Sequence, residues 1–206
     1  MQQGILIVLS GPSGTGKGTI CRELLHSYPN LKYSISATTR APRTGEQHGV
    51  HYFFLGRDEF NAMLDSDDLL EYAEVYGNYY GTPRQNVVKL LEASNDVVLE
   101  IDIQGAMQVK EKFPEGVFIY IVPPSLEELS DRIQKRGTDS LETIKRRLSC
   151  ASEELSLAHQ YDYVVVNDQI SAAVNRVAAI IEAERHRVKR NHHIIERICQ
   201  NGCLFK

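Results

Sequence analysis

The segment ILIVLSGPSGTGKGT, residues 5 to 19, constrains this chain more than any other. The aliphatic run Ile5 to Leu9 reads as a short buried strand, and the stretch after Lys17, through Leu24, Leu25 and Tyr28, has the spacing of an amphipathic helix. A strand that turns through glycines into a helix leaves backbone N–H groups and the positive end of the helix dipole facing one point, which suits a phosphate. The pattern G-x-x-x-x-G-K runs from Gly11 to Lys17, and its lysine would bridge the β- and γ-phosphates of a nucleoside triphosphate. Gly11, Pro12, Ser13, Gly14, Thr15, Gly16, Lys17, Gly18 and Thr19 are therefore candidate donor-phosphate contacts. There is one departure: the hydroxyl residue expected directly after the lysine is Gly18, and the hydroxyl comes one residue later at Thr19. Direct magnesium ligation by the loop stays open on that account.

The same alternation continues along the chain. VVLEI (97 to 101), VFIYIV (117 to 122) and YVVV (163 to 166) each precede a helical pattern. Short β-branched runs separated by helices predict an α/β fold, a parallel sheet with helices on both faces. Ser125, with Glu128 three residues on, and Ser171, before an Ala-rich stripe, read as helix caps. Two segments break the pattern. Residues 36–82 are polar and rich in Gly and Tyr, with a strand at Tyr52 to Phe54 and a short helix from Asp58 to Leu64. They read as an inserted subdomain without a strong core of its own. Residues 134–147 are charged and poor in apolar side chains, which suits a surface lid. The expected organisation is one domain over 4–187, with its core in 4–35, 83–133 and 148–187, followed by a C-terminal helical extension over 188–206. In that extension Ile194, Ile195 and Ile198 fall on one side.

Charge limits the partners. The formal net charge is −4, yet from Arg185 onward six Lys and Arg face a single Glu, a local +5 that leaves −9 on the first 184 residues. So acidic a body argues against non-specific nucleic-acid binding, which needs clustered cations. No apolar run approaches the roughly 20 residues that cross a bilayer, so no membrane partner is expected. The opening residues lack a basic region and cleavage site, so no signal peptide is expected. Four scattered cysteines make no disulfide framework, so a cytoplasmic setting is the expectation. Cys21 reads as core and Cys199 and Cys203 as free thiols. For the basic tail a solvated surface, self-association into a homo-oligomer and an anionic partner all stay open.

SISATTRAPRTGE, from Ser34 to Glu46, places Arg40 and Arg43 three apart in a loop. Arginine forks grip phosphate oxygens bidentately and keep their charge, so the pair suits an acceptor phosphate. Tyr52 and the run EYAEVYGNYYGTP add hydroxyls and the carboxylate of Glu71. A buried carboxylate beside hydroxyls suits guanine, whose N1–H and exocyclic amine are donors, over adenine, which presents a bare ring nitrogen. Tyr79 reads equally as packing or site. No Ser-His-Asp or Cys-His set is evident, and a phosphate acceptor, already anionic, needs no general base.

Together GPSGTGKGT, SxSATTRAPRTGE, GNYYGTP, EIDIQG (100 to 105), PPS (123 to 125), RIQKRGTD (132 to 139) and VVND (165 to 168) resemble the guanylate kinase family, in its order and spacing. The resemblance implies a P-loop α/β fold with a GMP-binding insertion and a lid. It also implies the reaction ATP + GMP ⇌ ADP + GDP with Mg²⁺, and dGMP as a second acceptor. By motif position, Arg40, Arg43, Tyr52 and Tyr80 would hold the GMP phosphate, while Ser36, Glu71 and Thr82 would read the guanine. Glu100 and Asp102 would lie near the base and the metal-bound water, with Thr19 and Asp102 toward the metal. The family often has Asp where this chain has Glu100. Arg132, Arg136 and Arg147 would belong to the lid and its hinges, closing on the transferred phosphoryl group. Asn167 would lie near the adenine of ATP. Two rivals share the fold: a catalytically inactive, guanylate-kinase-like protein-binding module, and a kinase for another acceptor. The intact loop argues against the first, and Glu71 with Ser36 and Thr82 against the second. The N-K-x-D signature of GTPases is missing, and VNDQ does not supply it.

Overall fold

Alternation along the first strand decides the architecture. A computed structural model describes residues 3–75, 77–135 and 154–202. In it β1 (Leu6–Ser10) is central to a five-stranded parallel sheet, flanked by β7 (Asp96–Glu100) and β8 (Val117–Val122). Outside these lie β2 (Leu31–Tyr33), beside β7, and β9 (Tyr163–Val166), beside β8. On one face Ile5, Ile7 and Leu9 pack against Ile20, Cys21 and Leu24 of α1 (Lys17–Ser27) and against Ala173, Val174, Val177 and Ile181. The last four belong to a helix over Ile170–Arg185. On the other face Leu6 and Val8 meet Val87 and Leu91 of α3 (Arg84–Glu92) and Ala106 and Val109 of α4 (Ile103–Lys112). A strand buried on both faces must be apolar at every position, which is what Ile5 to Leu9 supply.

The chain leaves this sheet after β2 and builds a second one. β3 (Ala37–Thr38), β4 (Phe53–Phe54), β5 (Leu69–Val75) and β6 (Asn78–Pro83) pair in the order β4-β3-β6-β5, with α2 (Arg57–Asp65) between β4 and β5. This sheet has a core, contrary to the sequence expectation: Ala37, Phe60 and Leu69 are buried, with Phe53, Leu55, Met63, Leu64 and Tyr79 packed around them. The contributing residues are spread over five elements, so no local run announces the cluster. Tyr79 belongs to it, stacked on Phe60 with ring centroids 5.5 Å apart and with the Arg57 guanidinium over its outer face.

After β8, α5 (Leu126–Lys135) starts as expected, the Ser125 hydroxyl accepting from the Glu128 backbone N–H at 3.1 Å. The helix over Ile170–Arg185, α6, starts one residue before Ser171, which lies exposed in its first turn. There the Asp168 carboxylate accepts from Gln169 N–H at 2.9 Å and from Arg176. A short 3₁₀ turn then leads to α7 (His192–Gly202).

The cations before α7 fold back onto the body. Arg185 pairs with buried Asp96, which also accepts the Ile5 backbone N–H at 2.8 Å. Arg187 pairs with Glu184, Lys189 with Glu115, and Arg190 with Glu184 and the Glu115 carbonyl. Much of the local +5 is thereby met by acids of the body. Beyond it α7 leaves Ile195 and Ile198 exposed. Among the described residues no helix is long and apolar enough to cross a membrane. Most of the stretch expected as a lid lies outside the described residues, as does Cys203.

Candidate active site

The carboxyl ends of β1, β7 and β9 converge, which is where an open α/β sheet binds its ligands. From β1 the chain enters the glycine loop. Gly11, Gly14 and Gly16 all have positive φ, at 140°, 93° and 89°. A side chain at Gly11 would meet the Ile121 carbonyl at 2.2 Å, and one at Gly16 the Asn167 amide nitrogen at 2.4 Å. Only glycine combines that backbone with those contacts. Thr15 is buried and donates to the Pro12 carbonyl at 2.9 Å, tightening the turn. Lys17, first residue of α1, has Nζ bonded to the Gly11 and Pro12 carbonyls at 2.6 and 3.0 Å, so its ammonium already lies across the mouth of the loop. Ser13 and Gly18 are exposed and Thr19 is half-buried.

Asn167, expected near the adenine of ATP, backs the loop. It is buried, its Nδ2 donates to the Thr15 carbonyl at 2.7 Å, and its own carbonyl accepts from Arg132 at 3.0 Å. Arg132 sits in the last turns of α5 and is also held by Glu128 at 3.0 Å, so it ties α5 to the end of β9. Arg136 and Arg147 lie outside the described residues.

At the end of β7, the Glu100 carboxylate oxygens come within 3.1 and 3.3 Å of the place a Gly18 side chain would take. Asp102 caps α4, its Oδ1 accepting from Gly105 N–H at 2.7 Å. Facing Asp102 is Glu71 of β5, 6% exposed, which accepts from the Thr82 hydroxyl at 2.6 Å. Burial pushes the Glu71 carboxyl up to about 7; the Thr82 hydrogen bond opposes this and the Asp102 charge adds to it. Among the described residues the Thr82 hydroxyl is its one hydrogen-bond donor and no cation pairs with it, which leaves acceptor capacity unused.

The other pole is cationic. Arg40 donates to Glu46 at 2.9 Å and to the Ala41 carbonyl at 2.7 Å, and its guanidinium lies over Tyr52 and Phe54. Glu46 also accepts the Arg43 backbone N–H at 2.7 Å, so one carboxylate shapes the turn that presents both arginines. Hydrogen bonding to Glu46 raises the Arg40 pKa further and, in return, lowers that of Glu46. The Arg43 side chain is exposed. Tyr52 and Tyr80 meet edge to face with centroids 6.0 Å apart. Tyr80 and Thr82 alternate along β6 and so share a face. That face carries the hydroxyls from the arginine pole to the buried carboxylate, about 7 Å along the strand. Ser36 is half-buried in the loop before β3, its carbonyl accepting from Phe53 N–H at 2.9 Å.

Two residues without an assigned role emerge. Glu46 closes the arginine turn; its position at the end of TTRAPRTGE was the available signal. Glu154 is half-buried, with a carboxyl pKa raised by burial and opposed by the charge of Lys17. Nothing local in its sequence marks it.

A family model for guanylate kinase matches residues 3–184. A guanylate kinase of Desulfitobacterium hafniense (strain Y51) is 57% identical over 195 residues, 95% of this chain and 98% of the relative. One of Caldanaerobacter subterraneus subsp. tengcongensis is 58% identical over 197 residues, 96% of each. The crystal structure of guanylate kinase from Anaplasma phagocytophilum superposes with a TM-score of 0.72 at 36% identity, covering 92% of this chain and 90% of that one.

Proposed function

Because this chain belongs to the guanylate kinase family, we propose that its site performs one reaction, transfer of the γ-phosphoryl group of ATP to GMP to give ADP and GDP. It is an enzyme, a phosphotransferase of purine nucleotide metabolism. The observation that carries the acceptor assignment is Glu71: a buried carboxylate, partnered by the Thr82 hydroxyl.

Each pole has its part. The loop from Gly11 to Thr19 binds the phosphates of ATP with its backbone N–H groups, and Lys17 turns from the loop carbonyls to the β- and γ-phosphates. Arg40, Arg43, Tyr52 and Tyr80 hold the GMP phosphate. Glu71 accepts from guanine N1–H and the exocyclic amine, with Ser36 and Thr82 completing the set. Adenine in that place would leave a buried carboxylate facing a lone pair, and such unpaired groups discriminate by on the order of 10⁴-fold. dGMP, which keeps the same base and phosphate, is accepted too. The arriving nucleophile is a phosphate oxygen, so these residues orient and neutralise and none removes a proton. Arg132, Arg136 and Arg147 add positive charge and exclude water as the lid of 134–147 closes. Asn167 acts by holding the loop from behind, beside the adenine. The insertion 36–82 and the lid 134–147 are thus the working parts of one domain over 4–187, which the helical extension 188–206 follows.

Glu100, beside Gly18, with Asp102 and Thr19 makes a donor set that fits magnesium. Glu100, Asp102 and Thr19 offer only oxygen, and among the described residues no three His, Cys, Asp or Glu gather into a metal cage. Magnesium is commonly held in this way, by one or two carboxylates, water and the substrate phosphates. When bound it neutralises charge on the transferred group. Asp102, already capping α4, would reach it through water.

The free thiols of Cys21 and Cys199 support a reducing, cytoplasmic setting. The exposed edge of α7 at Ile195 and Ile198 supports pairing with a second copy, which sedimentation velocity reads directly. The decisive experiment is ADP release with GMP, dGMP, AMP, UMP and CMP as acceptors. GMP and dGMP are expected to turn over and the other three to give background rates; no activity with GMP overturns the proposal.

A further inference from the structure

Glu71 does not lie in regular strand. β5 pairs Leu69 with Pro83 and Tyr72 with Gly81, so Leu70 and Glu71 share the single position opposite Thr82. This is a β-bulge, and bulges re-aim side chains beside functional sites. On its far side β6 comes close: a Cβ on Gly81 would stand 2.9 Å from the Glu71 carbonyl. The other side of β5 is an open sheet edge, and α4 runs along it.

Three residues of α4, spaced three and four apart and so on one face, meet the bulge. The Gln108 amide accepts from Tyr72 N–H at 3.1 Å and donates to the Tyr72 carbonyl at 3.0 Å, pairing with the backbone as a further strand would. Lys112 donates to the Leu69 carbonyl at 2.8 Å and to Asp67 at 2.6 Å. Gly105 makes room for the carboxylate, since a Cβ there would fall 2.8 Å from Glu71 Oε2. The two residues that flank the bulge are each held by a side chain of the same helix. A one-residue slip in a strand turns a side chain to the opposite face, so these two clamps decide where the Glu71 carboxylate points.

We propose that Gln108 and Lys112 are positioning residues for acceptor choice, acting through the β5 bulge on Glu71 and touching neither nucleotide. The inference rests on the reading of Glu71 as the guanine acceptor. It predicts a division in the kinetics that loss of stability alone would not produce. With both clamps removed (Gln108→Leu with Lys112→Met), KM for GMP rises about tenfold, a lost hydrogen bond being worth that order. The preference for GMP over inosine monophosphate, which lacks the exocyclic amine, falls by a similar factor, while KM for ATP stays within about twofold. Lys112→Arg, which keeps a cationic donor, escapes most of the loss seen with Lys112→Met. Should the double variant not fold, the single variants show the same division at about threefold each.

Steady-state kinetics with GMP and inosine monophosphate on the full chain, with Glu71→Gln alongside, separate the two readings. If Glu71→Gln abolishes the GMP preference while the clamp variants keep both the KM for GMP and the preference, the clamp proposal is overturned and the guanine reading stands. If Glu71→Gln itself leaves the preference intact, the guanine reading fails and the clamp proposal with it.

Discussion

Lowering the pH from about 8 to about 6 is expected to raise KM for GMP roughly tenfold through Glu71. Burial, with Asp102 adding, lifts this carboxyl to about 7. Only the ionised form accepts from both guanine N–H groups. At pH 8 about nine-tenths of the free enzyme carries it ionised and at pH 6 about one-tenth, a ratio near tenfold. The acceptor phosphate, with a second ionisation near 6, contributes about twofold over the same range. Glu71→Gln removes the first factor and keeps the second, so its KM, higher throughout, should change only about twofold. The assay is initial ADP release against GMP concentration at saturating ATP, repeated across the pH range. A glutamine variant with the same pH dependence as the parent, or a parent with none, refutes the argument. The same carboxyl makes stability depend on pH. A folded pKa raised above the ordinary 4.5 to about 7 means that the folded state holds the proton more tightly. That contribution is complete below about 4.5 and lost as the pH rises through about 7. It corresponds to about 3 kcal/mol, so Glu71→Gln should gain several degrees of Tm relative to the parent between acid and alkaline buffer.

Lys17→Ala should lower kcat by at least about a hundredfold with little effect on GMP binding, because the lysine addresses the donor phosphates; near-normal turnover in steady-state kinetics removes that role. Asp96→Ala strands the Ile5 backbone N–H and takes the buried carboxylate from Arg185, which keeps its pairing with Glu182. It should cost about 3 kcal/mol, or about 6–12 °C of Tm for a chain of this size; a calorimetric change under about 2 °C contradicts that accounting.

What was legible in the sequence was what is local. Ile5 to Leu9 and the glycines after it read correctly because a buried strand and a tight turn are written in consecutive residues. The arginine turn was equally plain at Arg40 and Arg43, although the part of Glu46 in shaping it was not. Glu71 and Thr82 were named from motif position, but the bulge that brings them together depends on the register between two strands and on a helix more than thirty residues away. The small core around Phe60 was missed because no single element carries enough of it. Asn167 shows another limit: the motif drew attention to it, but its amide is occupied with Thr15, which only the path of the loop reveals. The basic tail looked unexplained because its partners, Asp96, Glu115 and Glu184, are remote or scattered along the chain.

The central place of β1 also has a consequence for how the protein is made. Its first partner, β7, begins at Asp96, and Leu6 pairs with Val97. At about 5–20 residues per second of synthesis, the most apolar strand of the chain emerges roughly 5–20 s before anything can pair with it. Its other neighbour, β8, is completed later still, at Val122. During that interval a bare ILIVL segment, rich in β-branched residues and free of charge, is the part of the nascent chain most open to self-association. Production at high expression rates should therefore be limited by this strand waiting for the rest of the sheet.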